Sequence, residues 1–238
     1  DAFDKQHIDY TPRLIARQQI QTLCAVPAFL PLLLDNETRG DCMSIAQIIF
    51  GGEALPAHVC RRIRQTYPDT MLINMYGITE VTVHCTYFVH DTDVRTATVP
   101  IGRALPHMSI YLLDGAGRLV PPGSQGEIYV AGLGIARGYL GRHALTAERF
   151  VPCPFTDEPT RMYRSGDLAR YAPDTGVLEY MGRIDHQVKV RGCRVELDAV
   201  SSTLSSLDGV VDAVALVDQT GDQLFAFVAT DAETELTS

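Results

Sequence analysis

Three short segments of this sequence carry residues that could hold a nucleotide. Gly51-Gly52-Glu53 follows an apolar run, and glycines at a strand end let backbone approach a flat ligand closely. Asn74-Met75-Tyr76-Gly77-Ile78-Thr79-Glu80 closes a second apolar run. It offers an amide to read a base edge, an aromatic face for stacking, a hydroxyl for phosphate and a carboxylate for Mg²⁺. Tyr163-Arg164-Ser165-Gly166-Asp167-Leu168 sets a carboxylate after glycine, where it could accept both hydroxyls of a ribose. Each segment has a plainer reading: a strand-to-helix turn, a polar loop, and an Asp in a turn.

Two further segments are ambiguous in the same way. Gly126 to Leu140 runs strand-like and then glycine-rich, and its GxG lacks the GxGxxG order that opens a Rossmann site, so a tight structural turn is the reading preferred. Gly182 to Gly192 is basic, and by itself reads as a solvated strand face.

The elements that must position these residues alternate. Thr11-Pro12 can start a helix, Leu23–Val26, Ser44–Phe50 and Thr70–Met75 read as buried strands, and Phe29–Leu34 and Pro56–Tyr67 read as helical. Strands separated by helices predict parallel neighbours and an α/β architecture. From about residue 82, short strands between turn clusters (Asp114-Gly115, Pro121-Pro122-Gly123, Pro173 to Gly176) predict an antiparallel, partly barrel-like region. Past Gly182, a charged strand over 187–191, a helix over 196–207 and apolar strands over 210–217 and 224–229 predict the opening of a smaller α+β domain.

Composition narrows the class. With 238 residues, 46% of them apolar, the chain can bury a sizeable core. A net charge of −9 with interspersed signs argues against a nucleic-acid surface. Six scattered cysteines without a CxxC pair fit small apolar thiols in a reducing compartment, and the seven histidines show no HExxH spacing. The first residues, DAFDKQHIDYTP, lack the regions of a signal peptide, and the apolar run over 23–34 is too short for a membrane span and holds Pro27 and Pro31. A cytoplasmic protein without membrane or nucleic-acid partners is the expectation.

Taken in series, FGGE, NMYGITE, GEIYVAGLGIARGYL, YRSGDL and GRIDHQVKVRGCRVEL closely resemble successive core motifs of nonribosomal peptide synthetase adenylation domains, in the superfamily of acyl-CoA synthetases and luciferases. The resemblance covers nearly the whole chain; Ile78 departs from it, standing where proline is also common. It implies residues 1–184 as the C-terminal portion of the large adenylation core (parallel sheet layers plus a small antiparallel barrel-like region). Residues 185–238 would begin the small mobile subdomain, with a hinge at Asp185. It implies ATP and Mg²⁺, with Gly52 and Glu53 lining the adenine pocket, Asn74 hydrogen-bonding adenine and Tyr76 stacking on it. Thr79 would contact the α-phosphate, Glu80 the magnesium and Asp167 the ribose, with Tyr180 and Arg183 nearby.

The resemblance also implies an amino-acid pocket lined by Cys24, Ile49, Gly51, Met75, Val83 and His84. Its series looks like that of threonine-activating domains, with Cys24 in place of an expected asparagine. The partners implied are a peptidyl carrier protein bearing phosphopantetheine and a condensation domain. The family's phosphate loop, the aspartate gripping the substrate amino group and the C-terminal catalytic lysine have no counterpart in these 238 residues, which implies that the chain alone forms no adenylate. A related acyl- or aryl-CoA ligase and a non-catalytic scaffold segment are the alternatives.

Overall fold

A computed structural model describes residues 11–30, 34, 42–90, 96–185, 187–190, 193–218 and 223–230. The chain divides into two compact units, Asp1–Gly182 and Arg183–Ser238. The first holds two sheets. One has the order β1-β2-β3-β4-β5, formed by Thr22–Ala25, Gln47–Phe50, Met71–Tyr76, Thr86–His90 and Arg103–Ala104. β1, β2 and β3 are parallel, with Ala25 opposite Phe50 and Phe50 opposite Asn74, so three carboxyl ends lie side by side. Residues 11–18 are helical, as Thr11-Pro12 suggested. Between 26 and 34 the described residues form a 3₁₀ turn, Pro27–Phe29, and helical positions at 30 and 34; residues 31–33 of the predicted helix lie outside the description.

The helix between β2 and β3, Ala57–Thr66, follows from its pattern. Ala57, Val59, Cys60 and Ile63 form its buried stripe, and it stops at Tyr67 because Pro68 disfavours a helical residue before it. The change of character near residue 82 is not a change of sheet. β4 pairs antiparallel with β3, and β5 with β4, which extends the parallel sheet.

The second sheet is antiparallel, of order β10-β9-β7-β6 with β8 paired to β9. Its strands are β6 (Met108–Leu113), β7 (Gly126–Gly132), β8 (Phe150–Pro152), β9 (Arg161–Tyr171) and β10 (Leu178–Arg183). This open sheet is the barrel-like region expected. A short helix, His143–Arg149, precedes β8. The β6–β7 connection turns at Asp114, whose Oδ1 accepts the amide protons of Ala116 and Arg118 at 2.8 and 3.0 Å. Tyr76 of the first sheet and Ile78, Val81 and Cys85 of the connection from β3 to β4 share one buried cluster with Leu112, Ile128, Val130, Phe150, Tyr163 and Leu178 from the second. That common core fixes the sheets against each other and brings β9 over the end of β3.

In the second unit, β11 (Gln187–Val190) pairs antiparallel with β12 (Cys193–Glu196). The strand at β12 was not anticipated; the helix expected from Glu196 runs Leu197–Ser205. It packs on the hairpin of β13 (Val210–Val217) and β14 (Leu224–Thr230), where the Ala215 amide donates to Ser201 Oγ at 2.8 Å. All six cysteines are free thiols, and no described helix is long and apolar enough to cross a membrane.

Candidate nucleotide and substrate site

Of the predicted nucleotide residues, Gly52, Glu53, Asn74 and Tyr76 lie at the carboxyl ends of β2 and β3, Asp167 on β9 and Tyr180 on β10. Asn74, 2% exposed, donates its amide protons to the carbonyls of Pro100 at 2.9 Å and Val99 at 3.3 Å. Its nitrogen therefore anchors the segment entering β5, and the atom suited to an exocyclic amino group of a base is the amide oxygen. Glu53 Oε2 accepts the Ala28 amide proton at 3.3 Å, tying the β2 exit to the 3₁₀ turn after β1. Gly52 lies in that same exit.

Tyr76 donates its hydroxyl proton to Asp167 Oδ2 at 2.6 Å, and Tyr180 donates to Oδ1 at 3.2 Å. The two rings are 6.1 Å apart and tilted by 38°. Asp167 is 3% exposed, so its charge is met by hydroxyl dipoles rather than water. Burial and the neighbouring carboxylate push the Tyr76 hydroxyl well above its ordinary pKa, and burial with the same charge pushes Cys85 up to about 12. Asp167 and Tyr180, the residues expected near a ribose, are thus joined by a hydrogen bond, and Tyr76 is held by the same carboxylate.

Thr79 and Glu80 form a 3₁₀ turn, Thr79–Val81, with Thr79 exposed and Glu80 buried. Tyr139 donates its hydroxyl proton to Glu80 Oε1 at 2.6 Å, and the Tyr139 and Tyr163 hydroxyls lie 3.0 Å apart. Burial, followed by the hydrogen bond to Glu80, raises the Tyr139 pKa strongly. The backbone is held too. Ala136 N–H donates to the Glu80 carbonyl at 2.9 Å, and Thr82 Oγ donates to the Gly134 carbonyl at 2.7 Å. The glycine-rich segment, read from sequence as a tight turn, is a brace for the Thr79–Glu80 turn.

That turn carries strain. Thr82 and Val83 have φ of 59° and 73°, costly for β-branched residues by about 1–3 kcal/mol each. The chain folds back so closely that a Cβ at Gly77 would sit 2.2 Å from the Val83 carbonyl oxygen, which only glycine permits.

The predicted amino-acid pocket divides between strands and this turn. Cys24 and Ile49 are register partners on β1 and β2, and Met75 lies on β3. Cys24 is exposed, Ile49 and Met75 half-buried, and Val83 is 62% exposed. A Cβ at Gly51 would come within 2.8 Å of His84 Nε2, so these two residues face each other closely at the β2 exit.

Arg183 and Asp185 belong to the second unit, where they form a two-pronged ion pair: Arg183 Nε to Oδ1 at 2.6 Å and a terminal nitrogen to Oδ2 at 2.8 Å. Gln187 N–H also donates to Asp185 Oδ1 at 3.2 Å. The boundary between the units falls after Gly182, two residues before the expected one.

Sequence reasoning missed Tyr139 and Tyr163, and also Glu127, which accepts the Gly166 amide proton at 3.1 Å. The available signal was that a buried carboxylate requires donors, and a hydroxyl-bearing aromatic stands near the end of one motif, Tyr139, and at the start of the next, Tyr163.

A family described as AMP-binding enzyme matches residues 2–140, more than half of the chain. A dimodular nonribosomal peptide synthase of Bacillus subtilis (strain 168) is 41% identical over 243 residues, spanning 96% of this chain and 10% of its own length. The structure of holo-PA1221, an NRPS protein containing adenylation and PCP domains bound to a vinylsulfonamide inhibitor, matches with a TM-score of 0.88 at 31% identity, over 96% of this chain and 40% of that one. The Vibrio cholerae adenylation domain AlmE, in complex with glycyl-adenosine-5′-phosphate, matches with a TM-score of 0.80 at 28% identity, over 94% and 44% respectively. The chain therefore spans less than half the length of each of these relatives. It belongs to the AMP-binding enzyme family, as part of an adenylation domain of the nonribosomal peptide synthetase type.

Proposed function

We propose that the enzyme containing this chain activates an amino acid with ATP and passes it to a carrier-protein thiol. The observation that carries this reading is the buried Asp167 carboxylate under the hydroxyls of Tyr76 and Tyr180, in the same unit as the buried Glu80 turn. Each carboxylate oxygen has two acceptor sites, so Asp167 can keep its tyrosines and accept ribose hydroxyls. Tyr76 and the amide oxygen of Asn74 serve the base, with Gly52 and Glu53 lining its pocket, and Thr79 serves the α-phosphate. The fit of AlmE to a glycyl adenylate supports the class of ligand.

Glu80 fits magnesium: it is one hard oxygen donor, and among the described residues no cluster of three His, Cys, Asp or Glu could hold a metal unaided. Mg²⁺ commonly takes one or two carboxylates and completes its shell with phosphate oxygens and water, supplying charge neutralisation at the phosphates.

In the first half-reaction an oxygen of the amino-acid carboxylate bonds to the α-phosphorus and the bond to the bridging oxygen breaks, releasing pyrophosphate. The residues position and neutralise; no covalent protein nucleophile is needed. In the second, a phosphopantetheine sulfur attacks the acyl carbon, the thiol proton is lost and AMP leaves. Asp185 is the proposed hinge between these states, its ion pair with Arg183 opening the second unit. A peptidyl carrier protein and a condensation domain are the proposed partners. A nucleotide substrate and six free thiols favour the cytoplasm.

For the amino acid we propose a small, branched, hydroxylated side chain. The close approach of His84 to Gly51, with Cys24, Ile49, Met75 and Val83 around the same strand ends and turn, supports it. Amino-acid-dependent ATP–pyrophosphate exchange by the intact enzyme, over amino acids and simple acyl or aryl acids, tests the reading; exchange driven by acyl acids alone, or by nothing, would overturn it.

A further inference from the structure

We propose that Glu127 is a positioning residue for the Asp167 carboxylate, holding it in register to read a ribose. The inference rests on the proposed ribose role of Asp167. β7 and β9 pair regularly up to Glu127 opposite Leu168, then resume at Tyr129 opposite Arg164. Ser165, Gly166 and Asp167 thus stand against the single residue Ile128. Such a bulge re-aims a side chain and removes ladder partners from the backbone. Here the lost partners are replaced by side chains. Gly166 N–H donates to Glu127 Oε1 at 3.1 Å, and Asp167 N–H donates to Ser165 Oγ at 3.0 Å. Ser165 Oγ in turn donates to the Ile128 carbonyl at 2.7 Å.

Both peptide planes leading into Asp167 are therefore pinned, one by Glu127 and one by Ser165. Glu127, Ser165 and Asp167 are 8%, 2% and 3% exposed, so water cannot substitute for a missing partner without the bulge opening. Glu127 is itself fixed, accepting Arg164 Nε at 3.0 and 3.1 Å on its two oxygens. Gly166 has φ of 76°, a conformation that leaves its N–H aimed back across the sheet at Glu127. Without Glu127 the Ser165–Gly166 peptide loses its acceptor, and the carboxylate of the next residue loses its fixed position against the hydroxyls of Tyr76 and Tyr180.

The test measures binding of AMP, 2′-deoxyAMP and 3′-deoxyAMP to the intact enzyme by calorimetry, alongside thermal unfolding. If Asp167 accepts the hydroxyls, wild type prefers AMP over each deoxy analogue by about tenfold or more, as expected for hydrogen bonds to a charged group. Asp167→Asn erases most of this preference. Glu127→Ala brings it to within about threefold while binding of the deoxy analogues changes less than about twofold, and Glu127→Gln lies between. A purely structural role would lower the unfolding temperature and weaken all three ligands alike, leaving the preference intact, and that result overturns the inference. If Glu127→Ala does not fold, the same ratio in Glu127→Gln decides it. Retained preference in Asp167→Asn would instead overturn the ribose reading itself; preference lost there but kept in both Glu127 variants would overturn only the role of Glu127.

Discussion

The hydroxyl of Tyr76 meets Asp167 Oδ2 at 2.6 Å across 91 positions of sequence, joining the end of β3 to the bulge in β9. This bond spans the two sheets at the point where the proposed nucleotide binds. A hydrogen bond to a buried charge contributes about 1.5–3 kcal/mol, and removing its donor leaves the carboxylate short of one partner. Tyr76→Phe should therefore lower stability by about that amount in urea unfolding, whereas in an Asp167→Asn background the same change should cost well under half as much. Equal costs in the two backgrounds would mean that the bond does not couple the sheets.

Glu80 and Tyr139 make a second such pair. Glu80→Gln in the intact enzyme should cut pyrophosphate exchange by roughly two orders of magnitude or more, the scale for losing a preorganised charge partner. Tyr139→Phe keeps the carboxylate and removes its anchor. It should lower exchange by about fivefold to tenfold, with a raised Mg²⁺ concentration at half-saturation and little change for the amino acid. Exchange within a few-fold of wild type for Glu80→Gln would remove the magnesium assignment.

The close approach of Gly51 and His84 makes a prediction about selectivity. A pocket that hydrogen-bonds a substrate hydroxyl rejects the isostere lacking it, since its polar groups are left unpaired. Threonine should drive exchange well above valine, and large aromatic amino acids should be poor. Gly51→Ala puts a Cβ 2.8 Å from His84 Nε2, so it should depress threonine exchange more than glycine exchange. Equal rates with threonine, valine and aromatic amino acids would dismiss the hydroxylated-substrate proposal.

What was legible in the sequence follows the range of the interactions. β1, β2 and β3 stand out because each is a short apolar run next to a glycine or turn signal, and their parallel order follows from the helix between them. β4 was assigned to the wrong neighbourhood, since Thr86–His90 alternates in burial like any antiparallel strand and nothing local says which sheet it joins. β12 escaped because Cys193–Glu196 is mostly exposed and has no apolar face to report it. Motif residues such as Asp167 and Glu80 were visible as carboxylates in glycine-bearing loops. Tyr139, Tyr163 and Glu127 were not, because each acts through a partner far away in sequence: Glu80 lies 59 positions from Tyr139, and Gly166 on the neighbouring strand lies 39 positions from Glu127.

The buried thiols give the last prediction, about alkaline pH. Cys60 and Cys85 are both fully buried, and desolvation dominates both shifts, raising Cys60 from 9.0 to about 11 and Cys85 from 9.0 to about 12. Above pH 9 the unfolded chain releases these protons while the folded chain keeps them, so the unfolded state binds fewer protons and stability falls as pH rises. The contribution is fully present below 9.0, fades upward from there, and is exhausted near 11 for Cys60 and 12 for Cys85. Urea unfolding at a series of pH values from about 8 to 10.5 should show this decline, and Cys85→Ala should make it shallower whatever that variant does to stability at pH 8. Alkylation with iodoacetamide near pH 8 supplies an independent check on the same burial. In the isolated chain Cys24 and Cys193, which are exposed, should be modified first, and Cys42, Cys60, Cys85 and Cys153 only after unfolding. Rapid native-state modification of Cys85, or an unchanged pH slope in Cys85→Ala, would show that the core between the two sheets is open to water.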